Sequence, residues 1–290
     1  MADLRLTDLD ADPQLLPQVL ALFAGCPPGH NHAVCGHPAR MGLPPQAEDL
    51  REALGVLIAL QGARVVGALA LCPYSDEQVT LWGPVVHRGH TRAGVGTRLL
   101  DEARLALADG GYESIRVHVD TRNRVARSFF FDRGLAHWTT NRIYERRIVG
   151  SELPPDPGGV SEARPADHAE ITQVIDDAFP ESNHCREPLA TRERQGYRHY
   201  FLQDAGVIVG AAAVQVQPGR GWIGFIGVRT GHRGAGYGSR LLAGLLHREA
   251  QRGTARLALE VLEQNRAAVR LYEQMAFHLA WKSHIMTGPV

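Results

Sequence analysis

The sequence predicts a mixed α/β protein (α+β in layout) built as two tandem domains, and three observations predict it. The first is a repeated loop: HTRAGVGTRLL at 90–100 returns as HRGAGYGSRLL at 232–242, 142 positions later. The second is that the offset holds beyond the loop. Val86 pairs with Val228, Gly111 with Gly253 and Val119 with Val261; Asn123, Arg124 and Ala126 pair with Asn265, Arg266 and Ala268; Ile143 pairs with Ile285. VVGALAL at 65–71 matches IVGAAAV at 208–214 at an offset of 143. One loop can recur by chance, whereas a collinear match over several elements marks a duplicated unit. The third is SELPPDPGG at 151–159, rich in Pro, Gly and acids, which falls between the copies and reads as a linker. The expected domains are 1–150 and 151–290.

Each copy repeats the same order of elements. A short apolar strand opens it (RLTDL; VSEAR), and a helix follows at about 13–23 and 166–179. A hairpin comes next, VLIALQGARVVGALAL and YFLQDAGVIVGAAAV, with turn residues between apolar runs. A further strand (VTLWGPVV; WIGFIGV) enters the glycine loop. The helix leaving the loop has Leu99, Leu100, Ala103 and Leu107 on one face, and Leu241, Leu242 and Leu245 likewise in the second copy. A strand (SIRVHV; RLALEV), a helix starting at the Asn and final strands complete the copy. The strand and helix counts are too low for a doubly wound fold.

Bulk composition narrows the function. The chain has 290 residues, 44% of them hydrophobic, with 31 basic and 31 acidic side chains. The charge balance points away from nucleic acid or another polyanion as partner. The N-terminal segment lacks a basic region followed by an apolar run, and no stretch approaches a membrane span of roughly 18 apolar residues. Cys26, Cys35, Cys72 and Cys185 are too sparse for a disulfide scaffold. The expectation is a cytoplasmic protein with reduced thiols and no membrane contact, with monomer and homodimer both open.

The glycine loop carries the first chemical signal. A strand running into RGAGYG and then a helix offers several backbone N–H groups and a helix N-terminus, a site suited to phosphate. Gly236 and Gly238 allow close approach and positive φ, and Arg233 is available for charge-assisted hydrogen bonds. The pattern is neither a nucleotide P-loop nor a dinucleotide fingerprint.

The longer pattern settles which kind of loop this is. RGAGYGSRLL (233–242) followed by LEVLEQNRAAVRLYEQMAF (259–277) resembles the GNAT acyltransferase superfamily, whose signature is R/Q-x-x-G-x-G/A opening a helix, then a strand, then N-x-x-A-x-x-L-Y-x-x-x-x-F. The matching residues are Arg233, Gly236, Gly238, Asn265, Ala268, Leu271, Tyr272 and Phe277. With the repeat, the resemblance covers nearly the whole chain. It implies a mostly antiparallel sheet in each domain, flanked by helices and splayed between its fourth and fifth strands, with acetyl-CoA in the cleft as cosubstrate. It also implies that loop amides from Arg233, Gly234, Ala235, Gly236, Tyr237, Gly238 and Ser239 hold the CoA pyrophosphate. The strand ending at Val228 would pair with pantetheine, and Asn265 would touch that arm.

Acyl transfer from a thioester to an amine requires removal of a proton from the ammonium, a donor for the tetrahedral oxyanion and a proton for the departing thiolate. On its own, Tyr272 reads as a packed aromatic of an amphipathic helix; the resemblance makes it the general acid. Glu260 lies in an otherwise apolar strand, where a carboxylate needs a cleft or a partner. It is either the general base, as in the similar L-E-V…N…L-Y arrangement of bacterial ribosomal-protein alanine acetyltransferases, or a Glu paired with Arg on the solvent side. Glu263 is the fallback base. The acceptor site is expected along 179–200, which includes Glu181, His184 and Arg186.

The first copy departs from the pattern. Gly94, Gly96 and Asn123 remain, so the phosphate cradle is retained. Thr91 stands where Arg233 does, Phe130 replaces Tyr272, and His118 takes the place of Glu260. This is similar to tandem GNAT proteins with one decayed half, as in mycothiol synthase. The first copy also carries an insertion, CPPGHNHAVCGHP, in which Cys26, His30, His32, Cys35 and His37 are dense but not spaced as a zinc finger, so no metal is assigned. The function expected is acetyl transfer from acetyl-CoA to a primary amine, of a small molecule or a peptide, through the second copy. The alternatives are a noncatalytic acyl-CoA sensor or scaffold and a mycothiol-synthase-like acetyltransferase.

Overall fold

The computed structural model describes residues 4–26, 45–148, 152–180, 188–217 and 220–290. They form two compact units: residues 1–141 with 282–290, and residues 142–281. The units do not end where the repeats do. Each takes its last strand from the other copy, so the linker separates the repeats in sequence but lies inside the second unit.

In unit 1, β1 (Leu4–Asp8), β2 (Gly55–Gln61), β3 (Arg64–Pro73) and β4 (Gln78–Val86) run antiparallel, and β5 (Ser114–Asp120) joins β4 in parallel. Ser283–Pro289 of β12 (His278–Pro289) closes the sheet antiparallel to β5, from Ser283↔Asp120 to Pro289↔Ser114. One face carries α1 (Leu16–Ala24) and α2 (Ala47–Arg51), packed over Ile58, Leu60, Ala70, Trp82 and Val85. The other carries α3 (Val95–Asp109) and α4 (Arg124–Phe131), over Leu69, Leu81, Ile115 and Val117. The predicted stripe is the buried one: Leu99, Leu100, Ala103 and Leu107 all lie in this core. Burying each leucine contributes about 1.5–3 kcal/mol.

Unit 2 repeats the plan with β7 (Val160–Glu162), β8 (Tyr197–Asp204), β9 (Val207–Gln217) and β10 (Arg220–Val228) antiparallel and β11 (Arg256–Leu262) parallel to β10. Beyond β11 lies β6 (Ala136–Arg147), whose residues from Arg142 onward belong to this unit. α5 (His168–Ala178) and α6 (Leu189–Arg194) cover one face, with Phe201, Ala211, Ala213 and Phe225 beneath them. α7 (Tyr237–Gln251) and α8 (Arg266–Gln274) cover the other, over Val214, Ile223, Leu257, Leu259 and Val261. Among the described residues, no helix is long and apolar enough to cross a membrane.

Candidate functional site

Both sheets split at the same place. The β10–β11 register runs from Arg220↔Arg256 to Ile223↔Leu259, yet β10 continues to Val228 and β11 to Leu262. In unit 1 the β4–β5 register runs from Gln78↔Ser114 to Leu81↔Val117, and the strands continue to Val86 and Asp120. A bulge marks the parting point, between Ile223 and Phe225 in one unit and opposite Ala68–Ala70 in the other. A bulge increases local twist and bends its strand. Past it, among the described residues, β10 pairs only with β9, through Val228↔Gly210, so its other edge offers backbone groups to a strand-like ligand.

The glycine loop sits at the open end of the split. A single turn at Thr230–His232 follows β10, and Gly236 caps α7 at φ 82° in the left-handed region. The free N–H groups of the first turn and the helix dipole face out of the loop, with no acidic side chain in that turn. Gly94 caps α3 at φ 80° in the same way. Gly238 sits close under α8: a Cβ there would lie 3.4 Å from Leu271. Where the second loop has Gly234 at φ 80°, the first has Arg92 at φ 62°, a conformation disfavoured for a side chain with Cβ.

Two side chains of the second loop are occupied within the protein. Arg233 donates from Nε to the Val228 carbonyl at 3.2 Å and from a terminal nitrogen to the Ala178 carbonyl at 3.2 Å. The turn at 230–232 folds the guanidinium back over the end of β10, so it braces the loop where the sequence suggested a phosphate contact. Tyr237 donates its hydroxyl to Asp204 at 2.6 Å, and Arg240 reaches the same carboxylate at 3.3 Å. The Tyr237 hydrogen bond and Arg240 hold the Asp204 carboxyl below the usual range. Asn265 caps α8, its Oδ1 accepting from the Ala268 amide at 3.2 Å, as Asn123 does for Ala126 at 3.0 Å. The N-x-x-A spacing of the motif is thus also a helix cap.

Glu260 and Tyr272 flank the split from opposite faces. Leu257, Leu259 and Val261 belong to the core under α7 and α8, so Glu260, exposed, lies on the α5–α6 face. Tyr272, on α8, is only 6% exposed and packs beside Tyr144 and Phe277, at ring separations of 6.3 and 6.1 Å; burial pushes its phenol up. Glu263 forms an ion pair with Arg142 at 2.5 Å. The matching phenyl in unit 1, Phe130, is buried in its core.

The sequence missed a buried polar group on the α5–α6 face. Arg192 stacks over Tyr197 and Phe225, 4.5 and 5.3 Å from the ring centroids. His199 packs tilted to Phe225, and burial, reinforced by the Arg192 charge, pushes its imidazole down to about 4. His199 lies on β8, where it shares one face of the strand with Tyr197 and Phe201. Glu181, His184 and Arg186 lie outside the described residues, as do His30, His32, Cys35 and His37. Among the described residues no cluster of three metal-ligating side chains occurs. In unit 1 a cavity of about 1140 Å³ joins the glycine loop to α4, the end of β4 and the end of α1.

Comparison with known proteins agrees with this geometry. A family model described as acetyltransferase (GNAT) family matches residues 17–135 and 168–277. A mycothiol acetyltransferase of Thermobispora bispora is 32% identical over 253 residues, spanning 79% of this chain and 82% of the relative. One from Mycolicibacterium vanbaalenii is 29% identical, over 82% and 86%. Among solved structures, a GCN5-related N-acetyltransferase from Sphaerobacter thermophilus superposes with a TM-score of 0.73 at 19% identity, over 99% of this chain and 95% of that one. A tandem GNAT protein from the clavulanic acid biosynthesis pathway gives 0.73 at 19%, over 99% and 98%; these two show the shared fold.

Proposed function

Because this chain belongs to the GNAT acetyltransferase family, and is therefore an acetyltransferase drawing on an acyl-CoA, we propose that unit 2 transfers the acetyl group of acetyl-CoA to a primary amine. The observation that carries the reading is the split between β10 and β11 with the Gly236 helix terminus at its open end. The pyrophosphate would lie against the amides of 233–239 and the pantetheine along the unpaired edge of β10 as far as Val228, beside Asn265. Glu260 takes a proton from the ammonium on the α5–α6 face. The amine nitrogen then attacks the thioester carbonyl, forming the C–N bond, while a β10 amide receives the oxyanion. The C–S bond breaks, the thiolate takes a proton from Tyr272 on the opposite face, and the amide nitrogen sheds its excess proton to solvent, which reprotonates the phenolate.

The relatives favour, as acceptor, the amine that mycothiol acetyltransferases acetylate. Unit 1 holds CoA without turning it over, because Phe130 has no proton to give. The cytoplasmic location expected from the sparse cysteines belongs to the same reading. The test is thiol release from acetyl-CoA across an amine panel that includes that acceptor. Amine-dependent release by the intact chain that vanishes in Gly236→Asp supports the reading; release unaffected by that change moves the reaction out of unit 2.

A further inference from the structure

The two units close their clefts differently at the end of the first long helix. In unit 2 the last turn of α5 is fastened to the loop after β10. Arg233 donates to the Ala178 carbonyl at 3.2 Å, and the Thr230 amide donates to Asp177 Oδ2 at 2.5 Å. Gly227 makes the approach feasible: a Cβ there would lie 2.7 Å from Phe179 and 2.8 Å from Ala178.

Among the described residues, unit 1 has none of the parts of this latch. Val85 takes the place of Gly227, facing Ala68 as Gly227 faces Ala211, so an isopropyl group stands between strand and helix end. Gln18 and Glu170 accept the equivalent strand amides of Val65 and Ile208, so Gly25 occupies the Asp177 position, and it has no carboxylate to offer. Thr91 occupies the Arg233 position, and its hydroxyl is spent on the Arg88 carbonyl at 3.0 Å. The cavity of about 1140 Å³ opens at this point, with Ala21, Leu22 and Cys26 on one wall and Val85 and Val86 on the other.

The cavity also has a direction. It touches α4, which packs on one face of the sheet, and the end of α1, which packs on the other, so it passes through the gap where β4 and β5 part. A CoA thioester with its phosphates at the N-terminus of α3 would carry its thioester through that gap and its acyl group onto the α1 face. From these contrasts we infer that unit 1 takes a CoA thioester with an acyl chain longer than acetyl, the chain lying between the last turn of α1 and the end of β4. The inference rests on the reading of unit 1 as a CoA site.

The test is calorimetric titration of the full-length Gly236→Asp protein with CoA, acetyl-CoA and octanoyl-CoA. The substitution puts a carboxylate at the phosphate end of unit 2 and, because Asp tolerates left-handed backbone, leaves the fold in place. Octanoyl-CoA is expected to bind at least about tenfold more tightly than acetyl-CoA, since each buried methylene adds affinity. Adding Ala21→Trp fills the α1 end and should bring the two thioesters to within about threefold while leaving the affinity for CoA itself unchanged. Adding Gly94→Asp should abolish all binding. Equal affinity for the two thioesters in Gly236→Asp, or a preference that survives Ala21→Trp, overturns the inference while the CoA site stands. If neither CoA nor either thioester binds Gly236→Asp, the reading of unit 1 as a CoA site falls and takes the inference with it.

Discussion

Glu249, wholly buried in α7, accepts the Tyr200 hydroxyl at 2.6 Å, and its second oxygen takes Thr254 at 2.6 Å and Arg198 at 2.9 Å. Every oxygen of this interior carboxylate is satisfied. Replacing it with Ala would strand a buried phenol and a guanidinium, which costs about 3–5 kcal/mol. Denaturant unfolding of Glu249→Ala should show that loss, with Glu249→Gln nearer to wild type; a loss under about 1 kcal/mol would make the cluster incidental.

Arg233 is expected to act as a brace and not as a phosphate ligand. Arg233→Ala should weaken CoA binding about tenfold through loss of two hydrogen bonds. Because the bonds are internal, the salt dependence of CoA affinity should match wild type. A flatter salt dependence in the variant would mean that the guanidinium faces phosphate after all, since a lost charge–charge contact takes its screening with it.

Tyr272→Phe should lower the rate of the chemical step by about 10²–10⁴-fold with CoA affinity intact. The ring stays in its apolar setting, so stability should hardly move. Glu260→Gln should likewise lower the rate of the chemical step. Pre-steady-state thiol release checks both, and an unchanged chemical rate in either variant removes that residue from the mechanism.

His199 makes unit 2 acid-sensitive. Its folded value of about 4 lies below the unfolded value near 6.5, so the unfolded chain binds more protons between those limits. Stability is full above about pH 6.5 and falls as pH drops toward 4, at up to about 1.4 kcal/mol per pH unit. Arg192, His168 and Glu193 face the same ring, the first two disfavouring its proton and Glu193 favouring it. His199→Phe should flatten this component of the pH–stability curve; an identical curve in the variant would rule out His199 as its source.

Deleting 282–290 should damage unit 1 and spare unit 2. The segment is the strand that pairs with β5 over Ser114–Asp120, and it brings Met286 into the core. Its loss leaves a long unpaired edge. Hydrogen exchange should accelerate across β4, β5 and α3 while β8–β10 keep their protection. Uniform protection in both units would show that the strand is dispensable.

The sequence by itself determined the duplication, the order of elements in each copy, the glycine-capped helices and the buried stripe of α3. All of these follow from local rules: apolar periodicity, positive φ at glycine and the helix-capping pattern of Asn265. It also determined the family, because the motif residues are close together in the chain. Only the tertiary structure decided which copy supplies the closing strand of each unit, since pairing partners are chosen by long-range contacts. It decided that the Arg233 guanidinium turns back onto Val228 and Ala178, that Glu260 is exposed on one face while Tyr272 is buried on the other, and that Val85 holds apart in unit 1 what Gly227 lets close in unit 2. Each depends on which surfaces meet across the sheet, and no spacing along the chain encodes that.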